Sequence, residues 1–207
     1  MQFMKDQDRI KQTWYTADLH LGHTNILRPE FDGRPFKDIN HHDESIIANL
    51  HEVIKPWDDV YYLGDIAFRK DKDELDILVG RLPGNKYFIK GNHDHRDIRK
   101  LFAKHGEYLG EQATVKITYE LGTQLIVLNH FPMRSWHNSH HGTSWHLYGH
   151  HHGDLAPFEH GKWGKSMDVG INTNKYYPYN TLQIHSYIAH IPPKDLMGDH
   201  HKSKAVA

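Results

Sequence analysis

The sequence predicts an α/β fold, a sandwich of two central mixed β-sheets flanked by α-helices. Strand-like runs rich in β-branched and aromatic residues alternate with helical apolar patterns through residue 104, and strand-like runs then follow one another. Alternation indicates a sheet covered by helices, whereas successive strands indicate a second sheet. The 207 residues suit one domain. We place this domain at residues 1–192 and expect the polar stretch 193–207 to be a mobile tail.

The first half of the chain supplies most of the predicted helices. A strand over 13–17 leads into a loop over 22–39, where two prolines and a glycine disfavour regular structure. Asn40 is expected to cap a helix that runs to about Ile54. The remaining elements of this half are a strand over 60–63, a helix over 72–79 capped by Asp71, a strand over 86–90 and a helix over 96–104.

The second half is predicted to be mainly β. A hairpin around Leu121 and Gly122 joins two strands with alternating patterns. The predicted strands of this half cover 115–119, 124–128, 145–148, 166–169 and 182–188. These strands would complete the second sheet of the sandwich.

Composition excludes several classes of protein. Cysteine is absent, which rules out disulfides, thiolate zinc sites and cysteine nucleophiles. The net charge of −1, without a basic stripe, disfavours charge-driven binding of long duplex nucleic acid. The N-terminus lacks a secretory signal and no apolar run is long enough to cross a bilayer, so we expect a cytoplasmic protein without a membrane partner. The oligomeric state is left open by the sequence.

Histidine is the outlier, with 21 residues, and several histidines lie beside carboxylates. Five segments carry ligands for hard metals: Asp18-Leu19-His20, Gly64-Asp65, Gly91-Asn92-His93-Asp94, Asn129-His130 and Gly149-His150-His151-His152. Four of them directly follow strand-like runs, and the carboxyl ends of strands are where α/β proteins bind ligands. Each segment alone also fits a turn, a helix cap or a surface histidine. Their joint occurrence predicts a site for two cations.

Spacing within the segments assigns roles to several side chains. Asp18 and His20, at positions i and i+2 at the end of a strand, project to one side and can chelate one cation. Asp65 offers two carboxylate oxygens and can bridge two cations. His150 and His152 share one side of the histidine run.

The remaining segments add a neutral ligand and a candidate acid. Asn92 offers an amide oxygen as a ligand, which leaves the adjacent His93 available as a general acid, with Asp94 to orient it. His130, at the end of a predicted strand, is a further candidate ligand. Because the whole set combines carboxylate with imidazole, it suits Mn, Fe or Zn better than Mg or Ca.

The order Asp-x-His, Gly-Asp, Gly-Asn-His-Asp, His, Gly-His-x-His resembles the calcineurin-like metallophosphoesterase superfamily over residues 13–187. Further segments are similar to small bacterial and phage members of that superfamily: residues 19–26, Arg34-Pro35-Phe36, and 169–172 leading to Tyr176-Tyr177-Pro178. The resemblance implies a fold with a central double β-sheet flanked by helices, in agreement with the strand pattern.

The resemblance also implies a complete ligand set for two transition-metal ions. The first ion would be bound by Asp18, His20 and His152, the second by Asn92, His130 and His150, and Asp65 would bridge the two. The uninterrupted run of three histidines departs from the usual pattern, so a slip of register would put His151 in place of a neighbour. Manganese is the favoured metal, with iron, zinc or nickel as alternatives, and each ion is expected to be divalent or trivalent.

The function implied is metal-dependent hydrolysis of a phosphoester, with a phosphodiesterase favoured. The two ions would activate water as the nucleophile, and His93 would protonate the leaving group while Asp94 positions it. A phosphomonoesterase or a nuclease is the alternative, and a non-catalytic protein-binding scaffold is a more distant one. The expected partner is a small phosphoester or nucleotide, or a short single-stranded nucleic acid.

Four residues are candidates for contact with the substrate. Arg34 and Arg134 could each hold a phosphate through the planar guanidinium fork. Asn92 would stabilise charge on the phosphoryl oxygens, and His23 is either a substrate contact or a partner of a metal ligand. Three aromatic residues, Trp136, Trp145 and Tyr148, are candidates either for stacking on a base or for core packing.

Overall fold

The computed structural model describes residues 10–68, 71–94, 98–155 and 161–194 and has the predicted α/β architecture. Two mixed sheets, of five and four strands, pack face to face with helices outside. The predicted tail lies outside the described residues from 195 onward. None of the helices in the described ranges is long and apolar enough to cross a membrane.

The first sheet has the strand order β4-β3-β2-β1-β9. Its parallel strands are β1 (Thr13–Thr16), β2 (Asp59–Leu63), β3 (Asn85–Ile89) and β4 (Glu107–Gly110), with β9 (Tyr179–Asn180) antiparallel at the edge. Between the strands run the helices α1 (Ile39–Val53), α2 (Lys72–Gly80) and α3 (Ile98–His105). Because side chains alternate along β1, Trp14 packs under the helices and Tyr15 faces the second sheet.

The second sheet has the strand order β5-β6-β7-β8. Its strands are β5 (Gln112–Tyr119), β6 (Gly122–Asn129), β7 (Ser144–Tyr148) and β8 (Ser166–Asp168). β5 and β6 form the predicted hairpin, and β6, β7 and β8 are parallel. Leu63 and Ile89 of the first sheet meet Leu128 and Leu147 of the second in a shared apolar core.

The strand predicted over 182–188 is wrong. This segment is the helix α4 (Thr181–Ile188). Ile184 and Ile188 are buried at helical spacing. A capping box begins the helix: Gln183 N donates to Asn180 Oδ1 at 2.9 Å, and Asn180 N donates to Gln183 Oε1 at 2.8 Å.

The starts of the first and third helices are not those predicted or lie at the edge of the described residues. The predicted N-cap of the first helix, Asn40, is wrong by two residues, because Asp38 caps α1 and accepts a hydrogen bond from His41 N at 2.8 Å. The predicted start of the third helix at residue 96 lies outside the described residues, and α3 is described from Ile98.

The carboxyl ends of the parallel strands of both sheets meet at one edge of the sandwich. After β1 and β8 the two sheets join, since Ile171 N donates to Ala17 O at 2.9 Å. After β6 and β7, Gly149 N donates to His130 O at 3.0 Å. Residues that follow β1, β2, β3, β6 and β7 are therefore brought to a common place.

Candidate metal centre

Two groups of side-chain donors lie at this edge. The first group is Asp18, His20 and His152, and the second is Asp65, His130 and His150. Within each group the donor atoms all lie within 4.8 Å of one another. All six are predicted ligands. The two groups match the sets that the resemblance implies, except that Asp65, expected to bridge, falls in the second group. His151 belongs to neither group among the described residues.

Asp65 belongs to the second group and also lies near the first. Its Oδ2 atom is 3.3 Å from Nε2 of His130 in the second group and 3.8 Å from Nε2 of His20 in the first. The side chain is buried. Asn92, the seventh predicted ligand, lies at the second group with its Oδ1 atom 2.9 Å from His130 Nε2.

The hydrogen bonds of His130 test whether a cation fits the second group. His130 Nδ1 donates to Leu63 O at 2.8 Å, so Nε2 of the neutral ring carries a lone pair. That lone pair faces two oxygen atoms, of Asp65 and Asn92, which are also electron-pair donors. Three converging donors are stable only around a positive charge, so the residues fit a bound metal ion.

Without a metal ion, a second proton on His130 supplies that charge. Burial lowers the pKa of His130, but contact with the Asp65 and Asp18 carboxylates outweighs burial and raises this pKa to about 9. Asp18 is fully buried, and burial raises its pKa to about 7 despite the attraction of His152 and His130. The metal-free centre is thus short of positive charge around Asp18.

Polar side chains contact the two histidines of the first group on the ring nitrogens that face away from the group. His152 Nδ1 donates to Asp32 Oδ2 at 3.0 Å, which turns its Nε2 lone pair towards His20 Nε2, 3.1 Å away. On the far side of the His20 ring, Nδ1 lies 3.2 Å from His23 Nδ1. His23 is therefore a partner of His20, a predicted metal ligand, and its contact with substrate stays a prediction.

Five of the six grouped ligands have a left-handed backbone. Their φ angles are +57° at Asp18, +50° at His20, +53° at Asp65, +75° at His150 and +50° at His152. Only three other non-glycine residues among those described have positive φ. Each such residue costs about 1–3 kcal/mol, and such strain persists mainly at functional sites. The backbone therefore marks the same positions as the side-chain donors, by an independent observation.

Asp94 has a different role from the one predicted. Its carboxylate accepts hydrogen bonds from three backbone N–H groups, of Gly91 at 2.7 Å, Asp65 at 3.0 Å and Ile66 at 3.2 Å. These bonds hold the turns after β2 and β3 against each other. The prediction that Asp94 orients the His93 ring is wrong, because its oxygens are engaged by the backbone of the ligand turns.

His93 stands at the open side of the first group. It is exposed, and its backbone N donates to Asp65 Oδ1 at 2.8 Å. The centre of its ring is 5.6 Å from that of His20, 6.0 Å from that of His23 and 6.2 Å from that of Phe68. His93 belongs to neither donor group in the described ranges, as expected of an acid rather than a ligand.

The histidine run is held by a second buried carboxylate and by close packing. Asp168 accepts hydrogen bonds from Gly153 N at 3.1 Å and Gly170 N at 2.7 Å. Gly149 passes so close to the first group that a Cβ atom there would lie 2.6 Å from Asp18 Oδ2. Only glycine allows this approach.

Arg34 is not available to bind phosphate, so this prediction is wrong. The side chain is buried, and its Nη atoms donate to the carbonyl oxygens of Asp18 at 2.7 Å and Leu19 at 3.0 Å. Its Nε donates to Asp32 Oδ2 and one Nη to Asn172 Oδ1, both at 2.7 Å. Arg34 instead fixes the backbone that carries the first ligand.

The other predicted substrate contacts have mixed outcomes. Arg134 is exposed and lies over the Trp163 ring, with its guanidinium carbon 5.1 Å from the ring centre, so its phosphate contact stays a prediction. The three aromatic residues that were candidates either for base stacking or for core packing are packed in the core, so the second alternative is confirmed. Trp136, Trp145 and Tyr148 are all buried.

Asp32 is the main residue of the site that sequence reasoning missed. Its carboxylate accepts hydrogen bonds from His152, from Arg34 and, at 2.8 Å, from Asn172 Nδ2. Burial raises the pKa of Asp32, but the hydrogen bonds from His152 and Arg34 outweigh burial and hold it well below the usual range. The local pattern gives no signal, because His152 and Asn172 lie 120 and 140 residues away in sequence. Arg34 is only two residues away, but an acid beside a base in a loop does not by itself indicate a buried pair. The length of the loop was the one available hint.

Comparison with known proteins shows the family of this chain. No family model matches it. The uncharacterized protein MJ1445 of Methanocaldococcus jannaschii is 30% identical over 173 residues, which cover 82% of this chain and 86% of that protein. The chain belongs to the family of MJ1445. The Gene 66 protein of Mycobacterium phage L5 is 28% identical over 185 residues, covering 79% of this chain and 87% of its own length.

A solved structure supports the fold of this MJ1445 family member. The protein of unknown function AQ665 from Aquifex aeolicus superposes with a TM-score of 0.62 at 21% identity. The match covers 86% of this chain and all of the other. At this identity the likeness shows the fold alone.

Replacing Asp32 by asparagine should weaken metal binding in this MJ1445 family member. The amide removes the negative charge that keeps His152 Nδ1–H directed away from the metal group. Loss of such a partner typically lowers metal affinity about 10–100-fold. Titration of the chelator-stripped protein with Mn²⁺ by calorimetry measures the effect. Glu30→Gln, an exposed acid in the same loop, is the matched control. Equal affinity in Asp32→Asn and wild type would exclude the positioning role.

The stability of the metal-free protein should fall as pH rises from 6.5 towards 9. The folded pKa of His130 is about 9, above its ordinary 6.5, so its contribution is complete below pH 6.5 and is lost through pH 9. The groups that face His130 are Asp65, Asp18, Asn92 and His150.

Thermal unfolding across this pH range, with and without Mn²⁺, checks the prediction. Added Mn²⁺ should remove the fall, because a cation takes the place of the proton. His130→Gln is the control variant, since glutamine does not titrate. A slope with pH that is the same in His130→Gln and in wild type would assign it to other groups.

Proposed function

We propose that this protein is a two-metal phosphoester hydrolase that prefers phosphodiesters. The observation that carries the proposal is the convergence of two adjacent donor groups of mixed carboxylate and imidazole, with Asp65 of the second group also near His20 of the first. When bound, two neighbouring cations lower the pKa of a water molecule and attract the oxygens of a phosphoryl group.

The residues of the chain bind and orient the substrate around these donor groups. Asn92 is exposed, and its Oδ1 atom faces His130. Its Nδ2 atom is then directed to donate to a phosphoryl oxygen, where a fixed dipole stabilises charge that develops during the reaction. Asp94 and Asp168 keep the ligand turns rigid, so little reorganisation is needed when the substrate binds.

His93 supplies the proton for the leaving group. It is exposed beside the first donor group but is not part of it, so its ring can approach the substrate from the open side. The backbone hydrogen bond to Asp65 Oδ1 fixes the base of the side chain. A leaving alkoxide needs such a proton, because it is a much stronger base than water at neutral pH.

The position of Arg34 favours a diester over a monoester. A monoester dianion carries an additional charge that calls for another cationic group at the site. The guanidinium of Arg34 reaches this region, but its donors are engaged by the backbone, Asp32 and Asn172. The open rim at Asn92 and His93 leaves room for a second ester group.

A matrix of metals and substrates tests the proposal. Protein stripped with chelator is reloaded with Mn²⁺, Fe²⁺, Zn²⁺ or Ni²⁺ and assayed on bis(p-nitrophenyl) phosphate and p-nitrophenyl phosphate. We expect activity only after reloading, with the diester hydrolysed faster. Two bound ions without hydrolysis of any phosphoester would contradict the proposal and support a non-catalytic scaffold.

A further inference from the structure

Two phenylalanine rings stand exposed near the donor groups, Phe68 beside His23 and His93 and Phe131 beside His150. Phe68 is 44% exposed, and its ring centre is 4.7 Å from that of His23 and 6.2 Å from that of His93. Phe131 is 45% exposed, and its ring centre is 4.6 Å from that of His150. Exposed apolar rings that border a polar centre are typical of a ligand-binding surface.

Both rings are carried on backbone that is fixed by hydrogen bonds. Phe68 N donates to Leu21 O at 2.7 Å, next to the bridge between Leu21 and Ala67. Phe131 N donates to Asn129 Oδ1 at 2.7 Å, directly after β6. Fixed backbone at these two residues limits where each ring can lie, which favours contact with a ligand.

We propose that Phe68 and Phe131 stack on the nucleobases of a nucleotide substrate, so that the enzyme prefers phosphodiesters of nucleosides. This inference rests on the proposed function. The group proposed to cover these rings is part of the same substrate whose phosphoryl group binds at the donor groups. A nucleoside places a planar ring one sugar away from phosphorus, and every base can stack on an aromatic side chain.

The two rings face different parts of the substrate. Phe68 shares its side of the centre with His93, the proton donor, and so faces the leaving nucleoside. Phe131 lies against His150 of the second group and faces the nucleoside that stays on phosphorus. In the reaction, the water oxygen bonds to phosphorus, the P–O bond to the leaving nucleoside breaks, His93 protonates the departing oxygen, and the proton of water passes to solvent.

Pairs of substrates that differ by one nucleoside test each ring. For Phe131 the pair is thymidine 5′-(p-nitrophenyl phosphate) and methyl p-nitrophenyl phosphate, which share a leaving group. We expect the Mn²⁺-loaded protein to favour the thymidine ester in kcat/KM. Phe131→Ala should reduce this preference about tenfold, as expected for one lost base stack, with the methyl ester unaffected. For Phe68 a dinucleoside phosphate is compared with the corresponding nucleoside methyl phosphate.

Further variants separate stacking from general apolar contact. Phe131→Tyr should keep the preference, whereas Phe131→Leu, which is apolar but not aromatic, should lose it. Tyr187→Ala removes a ring that is 50% exposed on α4 and should change neither rate. Retention of the preference in both Phe68→Ala and Phe131→Ala would overturn the inference.

A binding measurement keeps this inference separate from the proposed function. Thymidine 5′-monophosphate is titrated into the Mn²⁺-loaded protein by calorimetry, which needs no turnover. The monophosphate carries one base, so we expect at least one of the two alanine variants to bind it about tenfold more weakly than wild type, and neither variant to bind it more tightly. If wild type hydrolyses no phosphoester but this difference is present, the proposed function fails and the stacking surface stands. Equal affinity in wild type and both variants would overturn the stacking surface.

Discussion

Asp65→Asn is expected to lower phosphodiester turnover by about 10³-fold, because the carboxylate that lies near histidines of both donor groups loses its charge. The contribution of a metal ion to charge stabilisation is several kcal/mol, and each 1.36 kcal/mol is tenfold in rate. Asparagine has the size of aspartate and tolerates the left-handed backbone at this position, where φ is +53°. The fold should therefore persist, and the bound metal should drop below two ions per chain by mass spectrometry of the native protein.

The matched control is Asp71→Asn, which makes the same change of carboxylate to amide at an exposed helix cap. Asp71 accepts hydrogen bonds from the first turn of α2, and asparagine caps a helix equally well. Turnover and metal content of this control should equal those of wild type. If Asp65→Asn kept two ions and full turnover, Asp65 would have no bridging role.

His93→Ala is expected to retain both ions and to lose about 10²–10⁴-fold in turnover of substrates with poor leaving groups. Its ring lies outside both donor groups among the described residues, so metal content should not change. The loss should be smaller for p-nitrophenyl esters, because p-nitrophenolate leaves without a proton. Steady-state rates over a series of leaving groups, together with metal analysis, measure both effects.

His190→Ala, which removes an exposed histidine after α4, serves as the control for His93→Ala. It should leave the whole series unchanged. Two results would contradict the role of His93 as an acid. One is the loss of both metal ions, which would make the residue structural, and the other is an equal loss of rate for every leaving group.

The fold was predictable where the pattern was long or the connection was simple. The strands β1, β2 and β3 coincide with clear apolar runs in the sequence. A helix follows each of them, and this alternation indicates a parallel sheet. The segment 182–188 was not predictable in this way, because a short apolar run fits either a buried strand or a helix. The capping box of Asn180 and Gln183 favours the helix, and it encloses the first apolar residue, Leu182.

The ligands were predictable because their spacing and their position at strand ends are local properties of the sequence. The roles of Asp94 and Arg34 were not, since both depend on which backbone groups lie opposite them after folding. Asp94 binds the turn of Asp65, 29 residues away in sequence. Arg34 bonds to the carbonyl oxygen of Asp18, 16 residues away. A buried charge must be paired, and folding supplies the partners: backbone N–H groups for Asp94, and the Asp32 carboxylate together with backbone carbonyl oxygens for Arg34.

The strained backbone and the polar partners act together on the metal centre. A left-handed conformation at five ligands is stable only when the surrounding structure holds it. Arg34 bonds to the carbonyl oxygens of Asp18 and Leu19, and Asp94 binds the N–H groups of Asp65 and Ile66. These contacts lie beneath the ligands, and so they hold the donors close together even before a metal ion binds.

The most direct test is anomalous diffraction from crystals of the protein loaded with Mn²⁺. The proposed centre predicts two peaks, one surrounded by Asp18, His20 and His152 and the other by Asn92, His130 and His150, with Asp65 touching both. A single peak, or peaks remote from these side chains in protein loaded to saturation, would contradict the two-metal centre.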